Sequence, residues 1–311
     1  MVETVVKPAG PYSLALSARI AGDATRTFRD RMFVATFEVD GRLEQAVAQQ
    51  LPDGRLRLAG ASEGGIERLR FCLALDDDHS EFLRRFRNDP LLRRSTSHLA
   101  GLRPVRVATV AHSLLRALCG QLIEAREARR IERRIIGAAT PALGRFHVSP
   151  STEALGAFAP AELRRLGLHA RRGATLVQLC RSLDLERLRD LPSDAVAARL
   201  LRERGLGPWS LGIISLEGLG RWDRGLVGDL GLVKLLGAMR GRRVEGWETE
   251  ELLAPYGEWA GLASVYLLAG WSRGLVSTSG SSGETSPVPM PRRAASASST
   301  ITVSATGMSS R

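Results

Sequence analysis

The sequence predicts an α+β N-terminal domain, mainly antiparallel sheet, over residues 1–103, an all-α domain over residues 104–275, and a disordered tail over residues 276–311. Three observations carry this division. Apolar residues alternate with polar or small ones early in the chain, and they recur every three or four positions from about Pro104 onward. Beyond Gly274 the chain turns to Ser, Thr, Gly, Pro and Ala, which bury too little apolar surface to offset the entropy of ordering.

In the N-terminal part, Tyr12, Leu14, Leu16, Ala18 and Ile20 alternate with polar or small neighbours, as do Phe33, Ala35, Phe37 and Val39, and Leu69, Phe71, Leu73 and Leu75. Each set is expected to be a half-buried strand. Asp40-Gly41 and Asp53-Gly54 mark turns between strands. Phe82, Leu83 and Phe86 indicate a short helix after three aspartates, Asp76 to Asp78. The expected role of this domain is to brace the helical one.

The helical part opens with Val110, Leu114, Leu118, Leu122 and Ala125, followed by Ile131 and Ile135, with Gly120 interrupting. Pro160 starts a helix that Gly167 closes, and another spans Ala170 to Leu183 with Leu176, Leu179 and Cys180 on one side. A further helix is expected over Ser193 to Arg204, capped by Ser193, with Leu191, Val196, Leu200 and Leu201 as its apolar stripe. Gly205-Leu206-Gly207 breaks it. Pro208 suits the first turn of the next helix, whose apolar positions Trp209, Ile213, Leu216 and Leu219 precede Gly220.

The helix, hairpin, helix order has two readings. Glycine is common at helix ends in its own right, so the turn is one. The other is a phosphate site, since glycines let a ligand close to the backbone and the N–H groups heading a helix attract an anion. A dinucleotide loop is excluded, because Ser210 stands where GxGxxG needs its third glycine and the preceding residues read as charged helix. Downstream, Asp229 suits the cap of a helix through Leu232, Leu235 and Leu236. A negative charge is favoured at a helix N-terminus by the dipole, and a carboxylate there can stabilise an oxocarbenium sugar.

The stretches GLGPWSLGII, GDLGLVK and APYGEWAGLASVYLLAGW, with HLAGLRPVRV and LLRALCGQLIEAREARRI upstream, resemble the helix-hairpin-helix (HhH-GPD) DNA glycosylase superfamily, DNA-3-methyladenine glycosylase II branch. The resemblance covers most of residues 98–272 and implies an all-α helix-hairpin-helix glycosylase domain after a small α+β domain. It makes Asp229 the catalytic acid and assigns Gly205, Leu206 and Gly207 to the DNA backbone. Trp209, Tyr256 and Gln121 fall at positions the family places near the lesion, although surface or helix packing is an equal reading for Gln121. Trp222, ahead of the acid, joins them as an aromatic on which an extruded base could stack, with ordinary core packing the alternative for each ring. Alkylated purines are cationic and suit such rings. Departures from the family pattern are Glu124 in place of a capping serine, Arg172-Gly173-Ala174 in place of Lys-Ala, and Pro255-Tyr256-Gly257-Glu258 in place of a more polar run.

Strand-cutting relatives carry a lysine at the position of Trp209, and Lys234 does not match that nucleophile, so a monofunctional enzyme that leaves an abasic site is expected. The formal charge of +11 favours polyanions, though all but two of the 44 basic residues are arginine, as a GC-rich genome produces. Cys72, Cys119 and Cys180 are too dispersed for a zinc knuckle or an iron-sulfur loop, and the five histidines show no ligand spacing, so no metal or cofactor is expected. No apolar run is long enough to span a bilayer, and no signal core opens the chain. The resulting expectation is a cytoplasmic, nucleoid-associated monomer that binds double-stranded DNA containing damaged bases and hydrolyses the N-glycosidic bond of alkylated purines. A DNA-binding module without catalysis, and a glycosylase for oxidised or deaminated bases, are the alternatives.

Overall fold

The computed structural model describes residues 1–121 and 123–277; Leu122, placed on a helix by its period, and the tail from residue 278 lie outside the described residues. Residues Met1–Thr278 form one compact unit. Among the described residues, β1 (Val2–Val6), β2 (Arg26–Arg29), β3 (Met32–Val39), β4 (Arg42–Gln50) and β5 (Leu56–Gly60) make an antiparallel sheet of order β1-β5-β4-β3-β2. β3 buries Phe33, Ala35 and Phe37 as the alternation predicts, and Asp40-Gly41 turns into β4 with both residues at positive φ. The two-residue turn pairs Val39 with Arg42 and so fixes the register of the hairpin.

Two of the expected strands are helical. Leu14–Ala18 forms α1, whose start is capped by the Ser13 hydroxyl accepting from the Leu16 N–H, and this replaces the strand expected over Tyr12 to Ile20. Glu63–Cys72 forms α2, capped by Ser62, where Leu69 to Leu75 read as a strand. The alternation there is a coincidence of spacing. Ile66, Leu69, Cys72 and Leu73 are buried at helical intervals, and they cover one face of the sheet with Leu14, Phe33 and Leu58.

The other described residues are mainly helical: α3 (Ser80–Arg85), α4 (Arg93–His98), α5 (Val110–Gly120), α6 (Ala125–Ala139), α7 (Thr152–Gly156), α8 (Pro160–Arg165), α9 (Ala170–Ser182), α10 (Ser193–Leu200), α11 (Pro208–Ile213), α12 (Leu230–Arg240), α13 (Thr249–Leu253) and α14 (Ala260–Trp271). This part is not all-α, since Ala142–Leu143 and Phe146–His147 pair as β6 and β7, and the His147 N–H donates to the Ala24 carbonyl beside the sheet. Two apolar clusters fill this part. One gathers around α5, α6, α9 and the hairpin residue Leu206, and the other around α3, α12 and α14. α10 is shorter than the sequence suggests: it begins at Ser193 with no side-chain cap, and it leaves Leu191 and Leu201 40% and 45% exposed.

Buried guanidinium groups join sheet and helices. Arg103 is fully buried and donates to the carbonyls of Ala74 (2.6 Å), Pro11 (2.9 Å) and Ala9, and through Nε to His79 Nδ1 (3.3 Å). His79 Nε2 therefore carries the proton, donating to the Ala100 carbonyl at 2.8 Å, and burial with the nearby Arg103 charge pushes the imidazole down to about 4. Arg116 on α5 pairs with Asp23 Oδ2 at 2.6 Å, with Glu132 of α6 at 2.8 Å, and with Glu217. His112 also donates to Glu132 at 2.8 Å, so Asp23, His112 and Glu132 converge with the Arg116 guanidinium bonded to both carboxylates. Burial works to raise the Glu132 carboxyl, but Arg116 and the His112 hydrogen bond outweigh it and hold the group at about 2. Asp23 is held below its ordinary range in the same way by Arg26 and Arg116. Burial pushes His112 below its ordinary 6.5.

All three groups bind fewer protons folded than unfolded, so each contributes stability at neutral pH that is lost on acidification. The His112 contribution begins to fall as pH drops below 6.5, and those of Asp23 and Glu132 fall from about 4.5 downward. Thermal melts across this range should show a midpoint that declines in these two stages. Arg116→Leu, which strands buried carboxylates, should cost about 3–5 kcal/mol at neutral pH. An unchanged midpoint in that variant would remove the network from the account.

Candidate active site

The site is assembled where α10, the hairpin and α11 meet the start of α12. After α10 the chain turns at Gly205, whose φ of +90° lies in the left-handed region, so a side chain there would be strained. The turn is backed by Thr175 of α9, whose hydroxyl is 3.2 Å from the Arg204 carbonyl. Leu206 is buried in the α5 core, and its N–H donates to the Glu203 carbonyl at 3.2 Å. Its backbone donor is thus used by the turn, and it anchors the hairpin from beneath. Gly207 is extended, and a Cβ built on it would meet nothing within 4 Å. Pro208 opens α11, and the first bond of the new helix runs from the Leu211 N–H to the Gly207 carbonyl. The N–H groups of Trp209 and Ser210 therefore head a helix that continues through a π turn, Ile214–Leu219, to Gly220 at φ +72°.

Gln121, at the end of α5, comes to the hairpin. Its side-chain amide donates to the Gly205 carbonyl at 2.6 Å and to Ser210 Oγ at 3.0 Å. Trp209 points the other way, toward the acid, and its indole N–H donates to Asp229 Oδ2 at 3.1 Å. Asp229 caps α12, with Oδ1 accepting from the Gly231 N–H at 2.8 Å. The carboxylate is thereby held through both oxygens while remaining partly open to solvent. Gly228, at φ +85°, makes the turn that delivers it, and its N–H donates to Thr249 Oγ1 at 2.7 Å. The start of α12 lies so close to α14 that a Cβ on Gly231 would come within 2.4 Å of Leu268 Cδ2.

Trp222 and Tyr256 are not brought to the acid by any contact of this kind. Trp222 is half-buried, 5.5 Å from the Trp259 ring and edge-on to His79. Tyr256 is 2% exposed, its ring set edge-on to Phe86 at 5.1 Å and its hydroxyl 3.3 Å from Asp89. Burial and the Asp89 charge raise its phenol well above the ordinary range, as suits a ring packed into the core against α3. Lys234 lies exposed on α12, and at 3.6 residues per turn five positions carry it about 140° around the helix from Asp229. Sequence reasoning missed Thr249 and the contact between Gly120 and Trp209. No local pattern signals a hydroxyl twenty-one residues from the glycine it anchors.

No family model matches the chain. It is 22% identical over 235 residues, 72% of this chain and 78% of the relative, to the DNA-3-methyladenine glycosylase of Bacillus subtilis (strain 168). Its fold is similar to that of the 3-methyladenine DNA glycosylase from Archaeoglobus fulgidus, with a TM-score of 0.74 at 19% identity over 87% of this chain and 98% of that one. It is also similar, with a TM-score of 0.71 at 15% identity over 88% and 98% of the two chains, to the Clostridium acetobutylicum 8-oxoguanine glycosylase/lyase solved with double-stranded DNA containing cytosine opposite 8-oxoG. These likenesses accord with the resemblance carried by the motifs, and they show that the chain shares the fold of those two solved structures.

The open surface at Gly207 gives a clean test of the hairpin as a phosphate grip. The Cβ of Gly207→Val has open space around it, so stability should stay within the range of an ordinary surface change, about 0.5 kcal/mol. Binding to damaged and undamaged duplex should weaken together, because phosphate contacts position a protein without reading bases. Loss confined to damaged duplex, measured by fluorescence anisotropy, would move the hairpin into the lesion pocket.

Proposed function

We propose that the protein is a base excision repair DNA glycosylase that extrudes a damaged nucleotide and hydrolyses its N-glycosidic bond, leaving an abasic site. The observation that carries this reading is the single carboxylate, Asp229, fixed at a helix N-terminus beside a glycine hairpin and held through both oxygens. Departure of a base leaves positive charge on the sugar, and a fixed ionised carboxylate stabilises that charge more than it does the neutral ground state. The N–H groups heading α11 would hold a nearby phosphate and set the strand so that the sugar faces the acid. Water completes the reaction, since the hairpin position carries an indole and not an amine.

Alkylated purines are the substrate class we propose. Their weakened glycosidic bond asks little of the enzyme beyond charge stabilisation, and a positive purine gains from electron-rich rings such as Trp222 and Trp259 at the half-buried aromatic cluster. The relative from Bacillus subtilis and the Archaeoglobus fulgidus structure carry 3-methyladenine names, which supports the same choice. The likeness to an 8-oxoguanine glycosylase/lyase favours a second reading, release of an oxidised purine. The lyase part of that activity is disfavoured here because Trp209 cannot form a Schiff base.

One assay separates these readings. Duplexes carrying N3-methyladenine, 8-oxoguanine or uracil are each incubated with excess protein, with borohydride present in a parallel set. Free methylated base, an unbroken backbone until alkali is added and no trapped adduct are expected. Asp229→Asn should slow release by about 10²-fold or more while still binding duplex. Release of 8-oxoguanine alone would install the second reading, and release by the asparagine variant at the parental rate would end the role of the acid.

A further inference from the structure

Gly120 and Gln121, the last residue of α5 and its successor, touch both halves of the site. A Cβ built on Gly120 would lie 2.7 Å from Cη2 of Trp209 and 3.6 Å from Cζ2 and Cζ3, so the indole lies against the bare glycine with no room for a methyl group. The next residue sends its amide to the Gly205 carbonyl and to Ser210 Oγ, one on each side of the hairpin. Trp209, between those two hairpin contacts in sequence, passes its indole N–H to Asp229 Oδ2. The phosphate grip, the α5 terminus and the acid are thus linked by direct contacts.

We infer that Gly120-Gln121 is a positioning joint and that Trp209 is a positioning residue for Asp229: the glycine sets the plane of the indole, the indole fixes one carboxylate oxygen, and the glutamine locks the hairpin to the same helix end. The inference rests on the proposed glycosylase reading and gives these residues a different task within it. An indole whose N–H is committed to the acid and whose edge is seated on Gly120 is held as part of the scaffold. A glutamine whose amide is committed to a backbone carbonyl is held there too. Packing fixes this joint on its far side, because α5 is buried along its whole length from Val110 to Cys119.

The geometry has a directional consequence. With Oδ1 tied to the Gly231 N–H within its own cap, rotation of the carboxylate is limited by Oδ2, and Oδ2 is held by Trp209. Removing the indole N–H leaves the cap in place and lets the second oxygen move. Misplacement of a reacting group by about 1 Å can cost on the order of 10²-fold in rate without changing how substrate binds. Trp209→Phe and Gly120→Ala should therefore fail at the same point, since one removes the donor and the other displaces it.

The test uses the full chain and a duplex carrying one N3-methyladenine, with single-turnover release and affinity for undamaged duplex measured for the parent, Trp209→Phe, Gly120→Ala, the double variant and Gln121→Ala. Trp209→Phe and Gly120→Ala are expected to lower the maximal release rate about 10- to 100-fold with affinity for undamaged duplex within about twofold, and the double variant should be no more than about threefold slower than the worse single one. Gln121→Ala should weaken binding to the undamaged duplex. In the protein without DNA, the Trp209 indole N–H resonance should move in Asp229→Asn and in Gly120→Ala, a readout independent of activity that also covers a glycine variant of reduced stability. Parental release by Trp209→Phe, independent multiplicative losses, or an indole resonance indifferent to Asp229→Asn would overturn the joint. A parent that releases no base from any lesion would instead overturn the glycosylase reading, and the joint would fall with it.

Discussion

The packing of sheet against helices turns on Arg116. Its guanidinium is buried and lies among carboxylates from three distant parts of the chain: Asp23 ahead of β2, Glu132 on α6, and Glu217 in the π turn that extends α11. A charge in that position is tolerable only if it is paired, and the carboxylates are tolerable only because it is there. Satisfying all of them at once fixes the sheet, α6 and the helix behind the hairpin relative to α5. Arg189 reinforces the same junction by donating to the carbonyls of Ala108 (3.0 Å) and Gly218 (3.2 Å), and the Val107 N–H donates to the Glu217 carbonyl at 2.8 Å. The hairpin stands at the front end of the helix that this network clamps at its rear.

From that frame the acid follows by short steps. Gly220 ends the hairpin helix, the loop through Trp222 crosses to α14 where the Gly261 N–H meets the Trp222 carbonyl at 2.7 Å, and Gly228 turns the chain into α12. Asp229 is then placed by its own helix cap and by an indole from the first turn of α11. A cap carboxylate is ordinarily a structural feature. Here the same feature supplies a charge whose position is set by two separate elements, which is the preorganisation that charge stabilisation in a reaction requires.

The parts of the fold legible in the sequence are those whose signal is local. The alternation of β3, the Asp-Gly turn, the Pro208 start, the Gly220 end and the Asp229 cap all involve residues within a few positions of one another, and the structure shows each. The failures are also local. Leu69 to Leu75 present apolar residues at both strand and helix spacing, and the Ser62 cap decides for the helix. Tyr12 to Ile20 is decided by Ser13 in the same way. What no local pattern could give is pairing across the chain. Arg116 finds Asp23 and Glu217 at separations of 93 and 101 residues, and Gln121 finds the hairpin 84 residues later. Tyr256 belongs to this class, because its position in a Pro-Tyr motif says nothing of the Phe86 ring and Asp89 carboxylate that hold it in the core.

The central claim is that Asp229 answers positive charge on a sugar, and binding can test it without any chemistry. A duplex bearing a cationic pyrrolidine abasic analogue is compared with one bearing the neutral tetrahydrofuran analogue, for the parent and for Asp229→Asn. The account predicts that the parent binds the cationic duplex about 10²-fold or more tightly, as transition-state mimics are bound, and that the asparagine variant binds the two alike. Equal affinity in the parent, or a preference that survives loss of the carboxylate, would contradict it.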